Sequence, residues 1–144
     1  MAEQVVVLAF DFGLKRIGVA VGQSVTGTAS PETILSARDG QPDWHEVAAL
    51  LETWQPQQLV VGLPLNMDGT DTSITPNARK FAKRLHGRFG LPVDLVDERL
   101  TTREVRHELD LRGGRRQSVT RVDALAAVVI LESWFAQQAE KEET

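Results

Sequence analysis

The sequence has no cysteine, so disulfides, thiolate chemistry and cysteine-built zinc or iron–sulfur sites are excluded at the outset. No apolar run approaches the ~20 residues that a membrane-spanning helix requires. The start, Met1-Ala2-Glu3-Gln4, is acidic and leads straight into a strand-like run, unlike a secretory signal. No internal repeat is visible, and His45, His86 and His107 show no metal-ligand spacing. A cytoplasmic protein without a membrane segment is the expectation. The length of 144 residues, with 42% hydrophobic and 25% charged residues, suits one globular domain. That domain is placed at residues 1–138, followed by a frayed polar tail at 139–144.

Acidic residues outnumber basic ones, and the net charge is −4. Taken alone, that argues against a nucleic-acid partner. The distribution argues the other way. Twelve of the 16 Lys and Arg fall between Arg79 and Arg121, beside six acids, so that segment is +6 and the remainder −10. A basic stretch on an acidic chain can form a phosphate-binding surface, although a solvated helix face is an equally good account of the run by itself.

The run Val7-Leu-Ala-Phe-Asp-Phe-Gly13 is the stretch around which the chain is organised. Val5 to Asp11 reads as a buried strand that ends on a carboxylate, and Ile17 to Gly22 as a second. The short link Phe12–Arg16 implies an antiparallel hairpin. Thr26 to Leu35 suggests a third, irregular strand, and Asp39-Gly40 a turn. Asp43 and Glu46 have capping-box spacing, and Val47, Leu50, Leu51 and Trp54 give the helix that follows one apolar face before Pro56. Gln58 to Val61 forms a central strand ending at Gly62, and the Gly62-Leu63-Pro64 run could bring backbone close to a ligand. The polar stretch Leu63–Asn77 is a long loop of a kind that is often functional. Thr75 as a cap, followed by Pro76 at the first helical position, then starts a second helix with cations outside and Gly90 as its stop. Val93–Val96 is another strand, running into Asp97-Glu98-Arg99. A third helix spans Thr101 to about Leu111, Gly113-Gly114-Arg115-Arg116 forms a basic loop, and a buried helix runs from Val122 to about Gln137. This order gives an α/β mixed sheet, with antiparallel N-terminal strands followed by parallel ones.

In such sheets ligands sit beyond the carboxyl ends of the parallel strands. Asp11 and Glu98 are at that end, and Asp123 is in the first turn of an apolar helix. Three carboxylates brought together repel unless a cation neutralises them. Hard oxygen donors of this kind suit Mg²⁺ or Mn²⁺, and paired metals can activate water for phosphodiester cleavage. Each acid also has a bland account. Asp11 could cap the Phe12-Gly13 turn, Glu98 could pair with Arg99 or Arg103, and Asp123 could answer the helix dipole. Asp97 should be structural, because adjacent strand residues point to opposite faces.

Four motifs then carry a family likeness: Phe10-Asp-Phe-Gly-Leu-Lys-Arg-Ile-Gly18, Val61-Gly-Leu-Pro-Leu-Asn-Met-Asp-Gly69, Asp97-Glu-Arg-Leu-Thr101 and Val122-Asp-Ala-Leu-Ala-Ala127. Together, in order and over nearly the whole chain, they resemble the YqgF/RuvX family. The resemblance implies an RNase H-like fold with helices on both faces of the sheet, related to Holliday-junction resolvases. It implies a metal-dependent nuclease that matures the 5′ end of 16S rRNA from its precursor, with Asp11, Glu98 and Asp123 as catalytic acids. Leu14, where the family has a small polar residue, and Arg121, where it has lysine, depart from the pattern.

On the nuclease reading, Asp11, Glu98 and Asp123 hold the metals, and Lys15, Arg99, Arg103, Arg115, Arg116 and Arg121 contact phosphates. The partners would be structured RNA and ribosomal particles, met by a monomer or weak dimer. Cleavage of branched, four-way DNA is the alternative chemistry, and a module that grips RNA or ribosomes without cutting is the alternative class. Asp11-x-Gly13 also resembles the first phosphate loop of actin-like and sugar-kinase ATPases. Those proteins close two such domains on ATP, and this chain has room for one.

Overall fold

The computed structural model describes residues 5–98 and 119–143, with side chains of the final helix described from 124 to 141. Strands β1 (Val6–Asp11), β2 (Arg16–Gln23), β3 (Thr28–Arg38) and β4 (Gln41–Pro42) come first in the chain. They are followed by α1 (Trp44–Trp54), β5 (Gln58–Leu63), α2 (Thr75–Phe89), β6 (Val93–Asp97) and α3 (Val119–Glu143). The sheet order is β4-β3-β2-β1-β5-β6. β1 pairs antiparallel with β2 and parallel with β5, which pairs parallel with β6. This is the mixed sheet expected from the order of motifs.

Period-two alternation divides the core between the two faces of the sheet. In β1, Leu8 and Phe10 join Val47, Leu51, Ala78, Phe81 and Leu85 beneath α1 and α2. Val7 and Ala9 point the other way and pack with Ala127, Ile130, Leu131, Trp134 and Phe135 of α3. Continued by one residue, the same alternation turns Asp11 toward the α3 face. In β6, Val96 lies in the α3 cluster and Asp94 accepts a hydrogen bond from Trp134 Nε1 at 2.8 Å. Glu98 follows on that side, whereas Asp97 falls on the α2 side and is exposed.

Local chemistry explains the element ends. Asp43 caps α1, its carboxylate accepting from the His45 N–H at 2.9 Å. Gln55 ends the helix in a left-handed conformation, φ 49°, before Pro56. Asp39 and Gly40 both have positive φ, 51° and 83°, as a type I′ turn demands, and this folds β4 back on β3.

Two expectations are corrected, and one short strand is added. Thr75 does not cap α2; Ile74 takes that position without a side-chain bond. The Thr75 hydroxyl is instead engaged with the Pro64 carbonyl and accepts from the Thr72 N–H at 2.7 Å. The final helix starts at Val119 and continues to Glu143, so residues 139–143 extend the helix rather than fray from it. The short β4, two residues long, has no sequence signal beyond its turn. The expected helix at 101–111 and the basic loop at 113–116 lie outside the described residues.

Phe81 ties the α1/α2 side together. It is fully buried, with ring centroids 5.6 Å from Phe10, 5.4 Å from Phe12 and 5.8 Å from Trp44. Phe81→Ala should cost about 3–5 kcal/mol of stability, read as a lower urea midpoint. A loss below ~1 kcal/mol would show that the ring cluster contributes little.

Candidate active site

The site begins with two glycines. Asp11 is paired with Gly18 of β2, and one step beyond the Phe10↔Val61 pair of the β1–β5 ladder its neighbour on the other side is Gly62. On the α3 face, then, the Asp11 carboxylate has a bare backbone position to either side. Gly62 is bare because the space is taken. A Cβ there would collide with Glu98 Oε1 and come within 2.5 Å of Ile130 Cδ1. The Glu98 N–H donates to the Leu63 carbonyl at 3.2 Å, fixing the chain as it leaves β6. The Glu98 side chain is thereby laid over Gly62, where it shares a hydrogen bond with Asp11.

Burial beneath α3 pushes the Glu98 carboxyl up, and the Asp11 charge, the Asp11 hydrogen bond and the Asp97 charge push it in the same direction, to about 9. Two carboxyl groups in hydrogen-bond contact must hold a proton or a cation between them. Oxygen donors alone on a partly buried site fit Mg²⁺ or Mn²⁺ rather than softer ions. Among the described residues no group of three metal-ligating side chains comes together. Asp123, the third acid expected, lies in the second turn of α3, and its side chain is outside the described residues. Its backbone is seven residues, about 10 Å, before Ile130. Because Ile130 meets the end of β5 and Trp134 meets the start of β6, the N-terminal part of α3 is directed toward the carboxyl edge.

Lys15 is exposed in the turn that follows Asp11, and its carbonyl accepts from Ala37 N–H at 2.8 Å. Leu14, 40% exposed, faces the β3–β4 turn, with Cδ2 3.6 Å from where a Cβ on Gly40 would stand. Packing against that turn is therefore what the leucine does there. Arg99, Arg103, Arg115 and Arg116 lie outside the described residues, as does the side chain of Arg121. The roles of Gly18 and Gly62 as carboxylate space were not evident from sequence. Their register opposite Asp11 is the missing information.

Comparison with known proteins identifies the family and the fold. A family model described as "RuvX: Holliday junction resolvase" matches residues 5–137. The chain belongs to the RuvX family. A relative from Yersinia pestis (strain Pestoides F), named "Putative pre-16S rRNA nuclease", is 60% identical over 134 residues, covering 92% of this chain and 96% of its own. Among solved structures, Thermus thermophilus RuvC bound to a Holliday-junction substrate superposes with a TM-score of 0.56 at 18% identity, covering 94% of this chain and 96% of its own. The yeast mitochondrial Holliday-junction resolvase gives 0.58 at 14% identity, with coverage of 95% and 80%. At these identities the likeness is one of fold, and the fold of this RuvX chain is RNase H-like.

Two outcomes follow for the RuvX chain. Because the folded carboxyl of Glu98 titrates far above the unfolded value of 4.5, the native state binds the extra proton between those two pH values. Metal-free stability is then greatest at low pH and falls as pH rises toward 9. Urea midpoints measured from pH 5 to 9 should decline, and Glu98→Gln should flatten that decline; an unchanged slope in the variant would contradict the shared proton. In Gly62→Ala the added methyl must displace either Glu98 or Ile130. The expected cost is about 1–3 kcal/mol, with the pH dependence of stability reduced at the same time. A variant with wild-type stability and wild-type pH dependence would show that the glycine provides no needed space.

Proposed function

We propose that this RuvX chain is a divalent-metal-dependent nuclease of the cytoplasm that hydrolyses phosphodiester bonds in structured RNA and trims the 5′ end of precursor 16S rRNA. The observation that carries the reading is the Asp11–Glu98 pair held over Gly62 at the carboxyl edge of the sheet. Two acids that must share a proton are a poor arrangement for stability and a good one for replacing that proton with a cation. Asp11 and Glu98 would hold Mg²⁺ or Mn²⁺, with Asp123 as the third ligand. Metal ions bound there supply activation of water and stabilisation of the leaving oxygen. The protein's own part is positional. Gly18 and Gly62 leave room for the carboxylates, Ile130 closes the α3 side, and Lys15 and Arg121 offer charge to the flanking phosphates, alongside Arg99, Arg103, Arg115 and Arg116. The name of the Yersinia relative and its identity over most of both chains support RNA as the substrate.

A second reading, cleavage of four-way DNA junctions, draws on the family description and on the RuvC fold. Symmetric junction cutting needs two active sites, hence a dimer, whereas trimming one RNA end is work for a monomer or weak dimer meeting a ribosomal particle. Side-by-side turnover on a precursor rRNA leader and on a synthetic junction separates the two. The non-cleaving binding module is disfavoured, since a buried acid pair repels phosphate unless a cation is bound.

Asp11→Asn should abolish Mg²⁺-dependent cleavage of the precursor leader while the circular dichroism spectrum and the urea transition remain those of a folded chain. Full activity in that variant would sink the proposal.

A further inference from the structure

Helix α2 carries a cluster of charge that the acid site does not use. Its inner face, Ala78, Phe81, Ala82 and Leu85, is buried on the side of the sheet opposite α3, so its outer face is directed away from Asp11 and Glu98. That outer face has no acid over fifteen residues. Two of its cations are already occupied: Arg79 is paired with Asp71 at 2.7 Å, and the Arg88 guanidinium lies 4.3 Å from the Trp44 ring centre. Lys80, Lys83 and Arg84 have no acidic partner among the described residues. At i, i+3 and i+4 they are neighbours on one stripe. Three unneutralised cations side by side repel one another, on a chain whose net charge is −4.

Beside the stripe is a cavity of about 560 Å³ between α2 and β6. Lys83 and His86 stand on its helical wall, and Val93, Asp94 and Leu95 line the strand side, the Asp94 carboxylate being engaged by Trp134 Nε1. Its lining is mostly apolar, and Leu95 is 43% exposed there. The His86 Nδ1 is engaged with the Leu91 carbonyl at 2.8 Å, which holds the ring as part of the wall. A largely apolar recess with Lys83 on its wall, continued by Lys80 and Arg84 on the adjoining helix surface, matches a polyanion that also carries flat apolar groups. Single-stranded RNA has that chemistry, with phosphates for the cations and a splayed base for the recess.

We infer that the outer face of α2 and the α2–β6 cavity form a second binding site for single-stranded RNA, on the opposite face of the sheet from the acid pair. The inference rests on the nuclease reading only for its purpose, which is to hold a segment of substrate distant from the bond being cut. Lys80 to Arg84 lie ~8–14 Å along the helix from Thr75. Thr75 closes the loop leading from the carboxyl end of β5. A strand leaving the acid site over that loop would run down α2 onto the stripe.

The test is salt-dependent binding of a fluorescein-labelled 24-nucleotide oligouridylate, followed by anisotropy in an Asp11→Asn background so that nothing is cut. Adding Lys80→Glu, Lys83→Glu and Arg84→Glu together should weaken binding by at least tenfold. It should also lower the slope of log affinity against log salt by about two, the effect of three single-strand phosphate contacts. Leu95→Ser should weaken binding without changing that slope. In the wild-type background the triple variant should keep its kcat, because the stripe is remote from the acids, and raise KM for long substrates more than for short ones. An unchanged slope, no measurable oligouridylate binding, or tighter binding of a labelled acidic peptide would each overturn the inference. If the wild type cuts neither RNA nor junction DNA while the triple variant still loses the slope, the nuclease reading fails and the second site stands.

Discussion

The arrangement depends on one electrostatic constraint: two carboxyl groups, Asp11 and Glu98, are held in contact on the inner side of a helix-covered sheet. Glu98 is buried and Asp11 partly so, which leaves the repulsion between two charges poorly screened. The fold tolerates this by leaving backbone bare around the pair, at Gly18 and Gly62, and by bonding the Glu98 N–H to Leu63 so that the side chain has one direction to take. A proton resolves the conflict in the absence of metal, and a divalent cation resolves it with more oxygen ligands. Stability and proposed chemistry therefore compete for the same few atoms.

The rest of the architecture follows from which residues of each strand face which helix. Odd-numbered residues of β1 and even-numbered residues of β5 and β6 face α3, and the others face α1 and α2. One step of parity separates Glu98, laid over Gly62, from Asp97, exposed on the other side. The same division puts the free cations of α2 on the face opposite the acids. A slip of one residue in β6 would exchange the two carboxylates and turn Leu95 into the α3 core.

Much of this was legible in the chain. Short apolar runs marked β1, β2 and β6, those of β1 and β6 ending on charges, and the spacing of Val47, Leu50, Leu51 and Trp54 marked α1, because burial and periodicity are local signals. The RNase H-like fold was readable from four motifs in order. What the sequence hid was relational. Thr75 reads as a cap until Pro64 and Thr72 are seen to hold its hydroxyl. The end of α3 is hidden in the sequence because polar residues such as Gln137 and Glu140 suit an exposed helix as well as a tail. Gly62 is an ordinary turn residue in one dimension and a carboxylate's cradle in three. The convergence of Asp11 with Glu98 needs β5 to lie between their strands, which only the strand order supplies.

The edge of the sheet at β3 has a further consequence, for self-association. β4 covers only Ala37 and Arg38 of an eleven-residue strand, which leaves a long run of backbone able to template another chain. Three features blunt it. Pro31 removes a donor, Glu32 places an exposed charge beside it, and the register shift between Val19 and Ala20 bends the ladder at that point. An incoming strand would meet an interrupted row of donors and an exposed charge that pairing would have to desolvate, so edge-to-edge growth into filaments is suppressed by the edge itself.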